Sequence, residues 1–281
     1  MEYEKMSVFE FLQYSTVKIQ CKGKDGELSF GTGFFFNYQF HNEKEVPVIV
    51  TNKHVVEGAI IGSFKITTLD KEGRPNHNDI VTIGIQGFEQ FWIFHPQAGI
   101  DLCIFPFGLV SNNMRIKNQK PSFAPFRETE IPNFINVEDY KPTEEIYMVG
   151  YPNGLGDDLH NRPLIRKGIT ATPFFIDHNG EPNFMVDCAC FPGSSGSPIL
   201  IVDQSSYSLH NKPLQAGNRM LLLGILYAGP QYNAKGEIVK YKVPTSEMIE
   251  TNIPMNLGYC ISSKKIMDFK PLIENTWMKN R

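Results

Sequence analysis

Short apolar runs alternate with polar turns along the whole chain. Most of these runs have the length of a single strand and are rich in Val, Ile and Phe, and polar loops such as 22–27 and 70–78 separate them. This spacing is typical of antiparallel sheets, because strands that follow one another as hairpins need only short connections. We predict strands over 16–22, 29–37, 46–52, 61–68, 80–85, 91–95 and 102–107, and then over 146–150, 164–172, 183–189, 198–202, 221–227, 238–243 and 257–262.

A change in composition separates the two sets of strands. Between 110 and 143 polar residues and prolines dominate, as is typical of a linker. We therefore predict an N-terminal barrel over 1–110, an inter-barrel linker over 111–143 and a C-terminal barrel over 144–281, together forming one unit. If one marginal run in each half lies outside its barrel, the chain is an all-β protein of two six-stranded antiparallel barrels.

Two short helices are predicted outside the sheets. Ser7 precedes an amphipathic stretch and is a favourable N-cap residue. Near the C-terminus a second helix begins at Ser262, and Pro271 predicts a kink or break in it, since proline lacks the amide hydrogen that a helix interior uses.

The composition restricts the partners of the protein. Hydrophobic residues make up 41% and charged residues 20% of the 281 positions, and the formal net charge is −3. This charge argues against nucleic acid or an anionic membrane as the main partner. The N-terminus lacks the basic start and apolar run of a signal peptide. The longest apolar stretch, 220–229, is about half of the ~20 residues that cross a bilayer, so we expect no membrane span.

The five cysteines are scattered along the sequence and odd in number. This usage suits a reducing compartment, and we expect a cytoplasmic protein. Cys188 and Cys190 form a Cys-x-Cys pair, which would be a metal or redox site only if a second pair matched it. The simpler interpretation is two small residues in a strand beside a cleft. We therefore predict neither a metal nor a cofactor.

One turn carries the strongest chemical signal. Residues 191–198 read Phe-Pro-Gly-Ser-Ser-Gly-Ser-Pro. A serine that attacks a carbonyl needs a tight, exposed turn, which favours a glycine two positions before it and another directly after it. Ser195 has Gly193 and Gly196 at these offsets, whereas Ser194 and Ser197 lack the pair. The alternative interpretation is an ordinary surface turn rich in glycine and serine.

A serine nucleophile also requires a histidine base and a carboxylate that orients it. His54 follows the strand-like run 46–51, and Asp101 opens the apolar run 101–105. The order His, Asp, Ser is that of chymotrypsin and differs from the orders of subtilisin and the α/β-hydrolases. The alternative bases are His95 and His160, and the alternative carboxylates are Asp157, Asp158 and Asp187.

Four ordered segments resemble the trypsin/chymotrypsin-like serine peptidases, and most closely the HtrA-type branch, here without a PDZ domain. His54 and Asp101 are 47 positions apart, and Asp101 and Ser195 are 94 apart, which are separations of the kind that this family uses. The segments are Gly-Thr-Gly-Phe-Phe-Phe at 31–36, Val-Thr-Asn-Lys-His-Val-Val at 50–56, Gly-Ile-Asp-Leu-Cys-Ile at 99–104, and Val-Asp-Cys-Ala-Cys with the serine turn at 186–198.

The resemblance implies both a fold and a mechanism. The fold would be a chymotrypsin-like double barrel closed by a C-terminal helix, and the activity that of a serine endopeptidase that forms an acyl-enzyme. His54, Asp101 and Ser195 would form the triad, and the amides of Gly193 and Ser195 the oxyanion hole. Two other functions remain open, namely a catalytically silent peptide-binding module on the same fold and an esterase-like acyl hydrolase with the same triad.

The resemblance also implies where substrate binds. Ala189 stands where tryptic members of the family carry an aspartate, so we expect a P1 pocket for small or medium uncharged side chains. Tyr227, Ala228 and Gly229 would form the edge that pairs with the substrate backbone. The substrate would be a protein or a peptide.

Control of the activity is expected to differ from that of the secreted zymogens. Those members carry an aspartate just before the nucleophile, which pairs with a newly cut N-terminus, and this chain has Ser194 there. We therefore expect a regulated or latent resting state, with a regulatory protein as candidate partner and with 110–143 and 154–163 as candidate switch segments.

Overall fold

The computed structural model describes residues 6–41, 44–238 and 247–278, and for 232–238, 247–254 and 277–278 it describes the backbone alone. The strands of the first half are β1 (Thr16–Lys22), β2 (Leu28–Gln39), β3 (Glu45–Thr51), β4 (Ile61–Leu69), β5 (Pro75–Gln86), β6 (Ile93–Phe94), β7 (Cys103–Pro106) and β8 (Phe126–Arg127). Those of the second half are β9 (Glu145–Gly150), β10 (Leu164–Thr170), β11 (Asn183–Asp187), β12 (Pro198–Asp203), β13 (Ser206–Ser208), β14 (Leu214–Ala216), β15 (Arg219–Ala228), β16 (Gln231–Ile238), β17 (Glu247–Pro254) and β18 (Leu257–Ser262).

The helices are short and lie at the edges of these sheets. The α-helices are α1 (Val8–Leu12), α2 (Lys53–Val56), α3 (Phe107–Ile116) and α4 (Lys270–Ile273). The 3₁₀-helices are Phe88–Phe91, Glu128–Glu130, Val137–Asp139, Pro152–Gly154 and Ser263–Phe269, and a π-helical turn spans Glu274–Met278. Among the helices of the described ranges, none is both long and apolar enough to cross a membrane.

The second half contains a closed six-stranded barrel, as predicted. Its strands pair in the order β10-β11-β18-β15-β12-β9, and β9 pairs again with β10. Two hairpins that the sequence did not predict, β13–β14 and β16–β17, lie outside the barrel. The predicted strand 238–243 falls, beyond its first residue, outside the described residues.

The first half is a sheet of eight strands rather than the predicted six. Its hydrogen-bonded order is β5-β4-β1-β2-β3-β7-β6, and β8 pairs in parallel with β2. β4 and β5 form a long ribbon. No residue of β5 is fully buried, but Val81, Ile83 and Ile85 pack on one face against the core of this sheet. The all-β class, the closed barrel of the second half and the C-terminal helix are confirmed. The first half pairs as an eight-stranded sheet and not as the predicted six-stranded barrel.

The central strands of the first half are buried on both faces. In β2, Phe35 faces the core of the first sheet, whereas Phe34 and Phe36 face the second half. In β3 the same alternation places Ile49 in the first core and Val50 between the halves. A strand that is covered on both sides carries a continuous apolar run, which explains these segments. One cluster of buried residues therefore joins the two halves, and each half has a further cluster of its own.

The helices bear on three details of the sequence analysis, the first of which they confirm. Ser7 caps α1, because its hydroxyl oxygen accepts a hydrogen bond from the Glu10 amide at 3.3 Å. The predicted boundary between 110 and 111 falls inside α3, and the segment expected to be a linker also contributes β8. The helical segment changes type beside Pro271, since the 3₁₀-helix ends at Phe269 and α4 begins at Lys270. Pro271 lies in the first turn of α4, where a missing amide hydrogen leaves no hydrogen bond unmade.

Candidate active site

His54 and Asp101 form a close pair at the edge of the first sheet. The chain leaves β3 at Thr51, and Asn52 starts the short helix α2, on which His54 lies. The Asn52 side-chain amide donates to the Asp101 carbonyl oxygen at 2.9 Å, which ties the two segments together. One carboxylate oxygen of Asp101 accepts from the His54 amide at 3.0 Å, and the other lies 2.5 Å from His54 Nδ1. This contact assigns the proton to Nδ1 and leaves Nε2 as an acceptor.

The serine turn depends on its two glycines. Gly193 has φ +83° and Gly196 has φ +87°, a region that favours glycine. A Cβ atom at 193 would lie 2.8 Å from the Tyr151 carbonyl oxygen, and one at 196 would overlap the Thr32 carbonyl oxygen. Both positions therefore require glycine for conformation as well as for space.

Of the three serines in the turn, Ser195 alone is partly exposed. Ser194 is 1% and Ser197 is 0% exposed, and the hydroxyls of both are buried without a hydrogen-bond partner among the described residues. Ser195 is half-buried and lines a cavity. A nucleophile must reach its substrate, so exposure separates Ser195 from its two neighbours.

The backbone of the turn leaves two amides unpaired. Every carbonyl from Phe191 to Ser195 accepts a hydrogen bond, and the amides of 194, 196 and 197 each donate one. The amides of Gly193 and Ser195 donate to no residue in the part of the chain that the structure describes. Amides are rarely left without an acceptor unless water or a ligand takes that place. These two N–H groups are therefore available to an oxyanion.

A cavity of about 130 Å³ lies beside Ser195. Two of the predicted substrate-binding residues, Ala228 and Gly229, line it, whereas Ala189 and Tyr227 do not. Tyr227 is half-buried, and its hydroxyl accepts from the Asn183 side-chain amide at 3.4 Å. Cys190, which the sequence analysis placed beside a cleft, also lines the cavity. The walls that the sequence analysis missed are Phe191, Pro192, Leu226, Pro230 and Gln231.

Arg166 is a further residue that the sequence analysis missed. It lies on β10, and its guanidinium donates to the carbonyl of Ala189. The same group lies 5.0 Å from the centre of the Phe191 ring. Ala189 and Phe191 flank Cys190 in the cavity wall, so a fixed positive charge lies against that wall.

The alternative bases are occupied by other contacts. His95 is fully buried: its Nδ1 accepts from the Gln97 amide at 3.1 Å, and its Nε2 lies 3.2 Å from the Lys265 carbonyl oxygen. His160 contacts Asp157 within its own loop at 2.7 Å. These contacts give His95 and His160 structural roles.

The alternative carboxylates likewise lie in other surroundings. Asp157 holds His160, and Asp158 forms an ion pair with Lys18. Asp187 is an exposed residue at the end of β11, where it pairs with β10 and β18. Of the carboxylates that the sequence analysis considered, Asp101 alone contacts His54.

The buried His95 leads to a prediction on pH-dependent stability. Burial lowers the pKa of His95 below its ordinary value of about 6.5, although Asp268 at 3.3 Å acts in the opposite direction. The unfolded chain therefore binds more protons than the folded one below about pH 6.5. We expect the free energy of unfolding, measured in urea, to fall between pH 7 and pH 5, and to fall less in His95→Gln. The exposed His210→Gln is the control and should retain the wild-type slope; equal slopes in all three proteins would contradict the prediction.

The thiols near the cavity are of low reactivity. All five cysteines are free and buried. Burial raises the pKa of Cys190 to about 12 and also raises that of Cys188, so neither is a thiolate at neutral pH. Among the described residues, no group of three or more His, Cys, Asp or Glu side chains could hold a metal ion. Cys190 lies in the wall of the cavity, whereas the buried Cys188 thiol donates to the Lys167 carbonyl on β10 at 3.9 Å.

Solved structures with similar chain traces are peptidases of low sequence identity. The active form of the Rv3671c protease from M. tuberculosis has 13% identity and a TM-score of 0.41, covering 91% of this chain and 78% of that one. Deg5 has 14% identity and a TM-score of 0.44, covering 81% and 87%. A catalytically inactive tobacco etch virus protease complexed with substrate has 13% identity and a TM-score of 0.48, covering 96% and 87%. A search of curated protein sequences finds no match.

The family match covers most of the residues discussed above. Residues 31–206 match the family described as the trypsin-like peptidase domain. This range is more than half of the chain and contains His54, Asp101 and Ser195. It confirms the resemblance inferred from the four sequence motifs, and the chain belongs to the trypsin-like peptidase family.

Proposed function

We propose that this peptidase is a serine endopeptidase with the triad His54, Asp101 and Ser195. The observation that carries the proposal is the 2.5 Å contact between His54 Nδ1 and the Asp101 carboxylate, combined with a single partly exposed serine on a turn braced against the same sheet. The substrate is a protein or peptide that lies in the cleft between the two halves.

In the proposed mechanism, the Ser195 hydroxyl attacks the scissile carbonyl carbon while His54 Nε2 takes its proton. The carbonyl π electrons move to the oxygen, and the amides of Gly193 and Ser195 stabilise the resulting oxyanion. His54 then protonates the leaving amine as the C–N bond breaks, which leaves an acyl-enzyme. Water hydrolyses this ester with His54 again acting as base. Asp101 orients the imidazole and stabilises its protonated form.

The cavity favours an uncharged P1 side chain. Its volume of about 130 Å³ is well below the roughly 300–1,000 Å³ of pockets for drug-sized ligands. Its described walls include no carboxylate, and the Arg166 guanidinium lies behind Ala189 and Phe191. A lysine or arginine at P1 would therefore find no carboxylate in the cavity wall, and the positive charge nearest to that wall in these contacts would repel it.

This pocket predicts the outcome of a peptide-library experiment. We expect cleavage after small or medium uncharged residues, with kcat/KM for basic P1 residues lower by about 10-fold or more. Arg166→Gln should reduce the difference in kcat/KM between substrates with uncharged and with basic P1 residues. The substitution removes the repulsive charge and keeps a donor for the Ala189 carbonyl. Preferred cleavage after Lys or Arg by the wild type would refute the assignment of the pocket.

The test of the proposed function is labelling with a fluorophosphonate probe, which reacts with an activated serine. We expect the wild type and Ser194→Ala to be labelled and Ser195→Ala to stay unlabelled, with peptide hydrolysis following the same pattern. Labelling with ester hydrolysis but no peptide hydrolysis would favour the acyl hydrolase. A folded wild type that binds peptides and is neither labelled nor active, even with cell extract, would favour the silent peptide-binding module.

We also propose that the resting enzyme is regulated in a reducing, cytoplasmic compartment. Five free buried cysteines support the compartment. The segment 154–163 supports the regulation, because it bridges the two halves: Lys18 donates to the Gly154 carbonyl at 3.1 Å, and Arg162 donates to the Tyr14 hydroxyl at 2.5 Å. A partner that moved this segment would act next to the serine turn. Equal activity of the isolated protein and of its cellular complexes would contradict this regulation.

A further inference from the structure

We propose that Thr32 is a positioning residue of the oxyanion hole, acting through the carbonyl groups of Gly193 and Ser195. This inference rests on the proposed serine-peptidase function and extends it to a residue of the first sheet. Thr32 is fully buried in β2, in the half of the molecule that carries His54 and Asp101.

Thr32 binds the second half through its amide and its hydroxyl, and it binds the strand before His54 through its carbonyl. Its amide donates to the Ser195 carbonyl at 2.8 Å, and its hydroxyl donates to the Gly193 carbonyl at 3.0 Å. The same hydroxyl accepts from the Tyr151 amide at 3.0 Å. Its carbonyl accepts from the Thr51 hydroxyl at 2.7 Å, three residues before His54. One residue thus connects the serine turn to the strand that leads to the proposed base.

These contacts restrain the residues whose amides face the substrate. Gly193 and Ser195 each have a free amide on one side and a carbonyl bound by Thr32 on the other. Each of these carbonyls lies in the peptide that follows its residue. Holding it fixes one of the two peptides that meet at that residue, which limits the rotations by which the turn could redirect the N–H. Glycine is otherwise the residue with the most backbone freedom, so Gly193 needs this restraint most. Preorganised donors stabilise a developing charge without reorganisation during the reaction.

A second contact restrains the same turn from the opposite side. The Asn153 amide donates to the Pro192 carbonyl at 2.6 Å. In a trans peptide the C=O and the following N–H point in opposite directions, so this bond directs the Gly193 amide away from Asn153. The Thr32 hydroxyl also binds Tyr151, two residues before Asn153, and therefore supports both sides of Gly193.

The hydroxyl of Thr32 cannot be replaced by the surroundings. Without it, the buried Tyr151 amide and the Gly193 carbonyl would each lose a partner, and a buried polar group without a partner destabilises the folded state. The ideal Cβ of a residue at Gly150 would lie 2.7 Å from this hydroxyl, so the space around it is already closely packed. The turn would relax by moving the 193–194 peptide.

The test compares four residues of similar size at position 32. We expect Thr32→Val to lower kcat by about 10–100-fold with KM changed little, because the oxyanion forms only in the transition state. Thr32→Ser should restore most of kcat, and Thr32→Cys, with its weaker donor, should lie between Ser and Val. The affinity for a peptide boronic acid, whose tetrahedral adduct occupies the oxyanion hole, should fall in parallel with kcat.

The matched control is Thr170→Val, a buried threonine whose hydroxyl accepts from the Glu144 amide at 2.9 Å, in the second barrel. Thr170→Val should lower the free energy of unfolding and leave kcat close to that of the wild type. If Thr32→Val is active like Thr170→Val, or if Ser at 32 does not restore kcat, the inference is wrong. If Thr32→Val does not fold, the kcat values of the wild type, Thr32→Ser and Thr32→Cys test the inference, and they should decrease in that order. A wild type without activity or labelling would instead refute the proposed function.

Discussion

Asp101→Asn is expected to reduce kcat by about 10⁴-fold, a magnitude taken from the general chymotrypsin-type triad, while the protein stays folded. The carboxylate oxygen 2.5 Å from His54 Nδ1 assigns the proton to that nitrogen and leaves Nε2 free to accept. An asparagine would present its NH₂ group to Nδ1, because its carbonyl oxygen keeps the bond from the His54 amide. The imidazole would then hold its proton on the wrong nitrogen. Steady-state peptide hydrolysis at pH 7.5 measures the effect.

The control for this substitution is Asp187→Asn, an exposed carboxylate at the end of β11. It should keep activity within about two- to threefold of the wild type, since surface substitutions usually change free energies by about 0.5 kcal/mol. If Asp101→Asn kept more than a tenth of the wild-type kcat, Asp101 would not be the orienting acid. A similar loss in both variants would point to a general effect of charge.

Gly196→Ala is expected to destabilise the protein by about 2–5 kcal/mol and to abolish detectable activity. Gly196 has φ +87°, and a Cβ there would overlap the Thr32 carbonyl oxygen and approach the Thr51 hydroxyl. Both obstacles belong to the rigid first sheet, so the turn must move away from it. This displacement would carry Ser195 away from the segment that holds His54. Urea unfolding and peptide hydrolysis measure the two effects.

Gly84→Ala serves as the control for Gly196→Ala. Gly84 is an exposed residue of β5, has no positive φ, and a Cβ there would meet nothing within 4 Å. Its substitution should change the free energy of unfolding by about 0.5 kcal/mol or less. A stable and active Gly196→Ala would show that the turn tolerates a side chain at 196. The steric argument for this glycine would then be wrong.

Local sequence predicted the parts of the fold that depend on local chemistry. The strands 16–22 and 257–262 coincide with β1 and β18, and the Ser7 cap was recognised from its residue type. The pairing of the strands was harder to predict from the local sequence. The two-residue β8 and the ribbon of β4 and β5 arise from contacts between distant segments, and a two-residue strand carries no periodicity that a pattern could reveal.

In the candidate site, too, local sequence predicted some residues and contacts between distant segments decided others. Ser195 stood out because its glycines are at fixed offsets, and His54 and Asp101 because they border apolar runs. The cavity wall was predicted in part: Cys190, Ala228 and Gly229 line it, whereas Leu226, Pro230 and Gln231 were missed. Neighbouring residues of a strand point to opposite faces, and a shift of one residue decides which of them enters the cleft.

The sequence by itself determined the family, the all-β class and the order of the candidate triad, because these follow from residue types at fixed spacings. The tertiary structure alone decided which serine is reachable, which histidine contacts Asp101 and how the turn is held. Ser194, Ser197 and His95 are chemically equivalent to their alternatives in the sequence and differ from them through burial and partners. The contacts of Thr32 with Gly193 and Ser195 join segments more than 160 positions apart, and only folding brings them within hydrogen-bond distance.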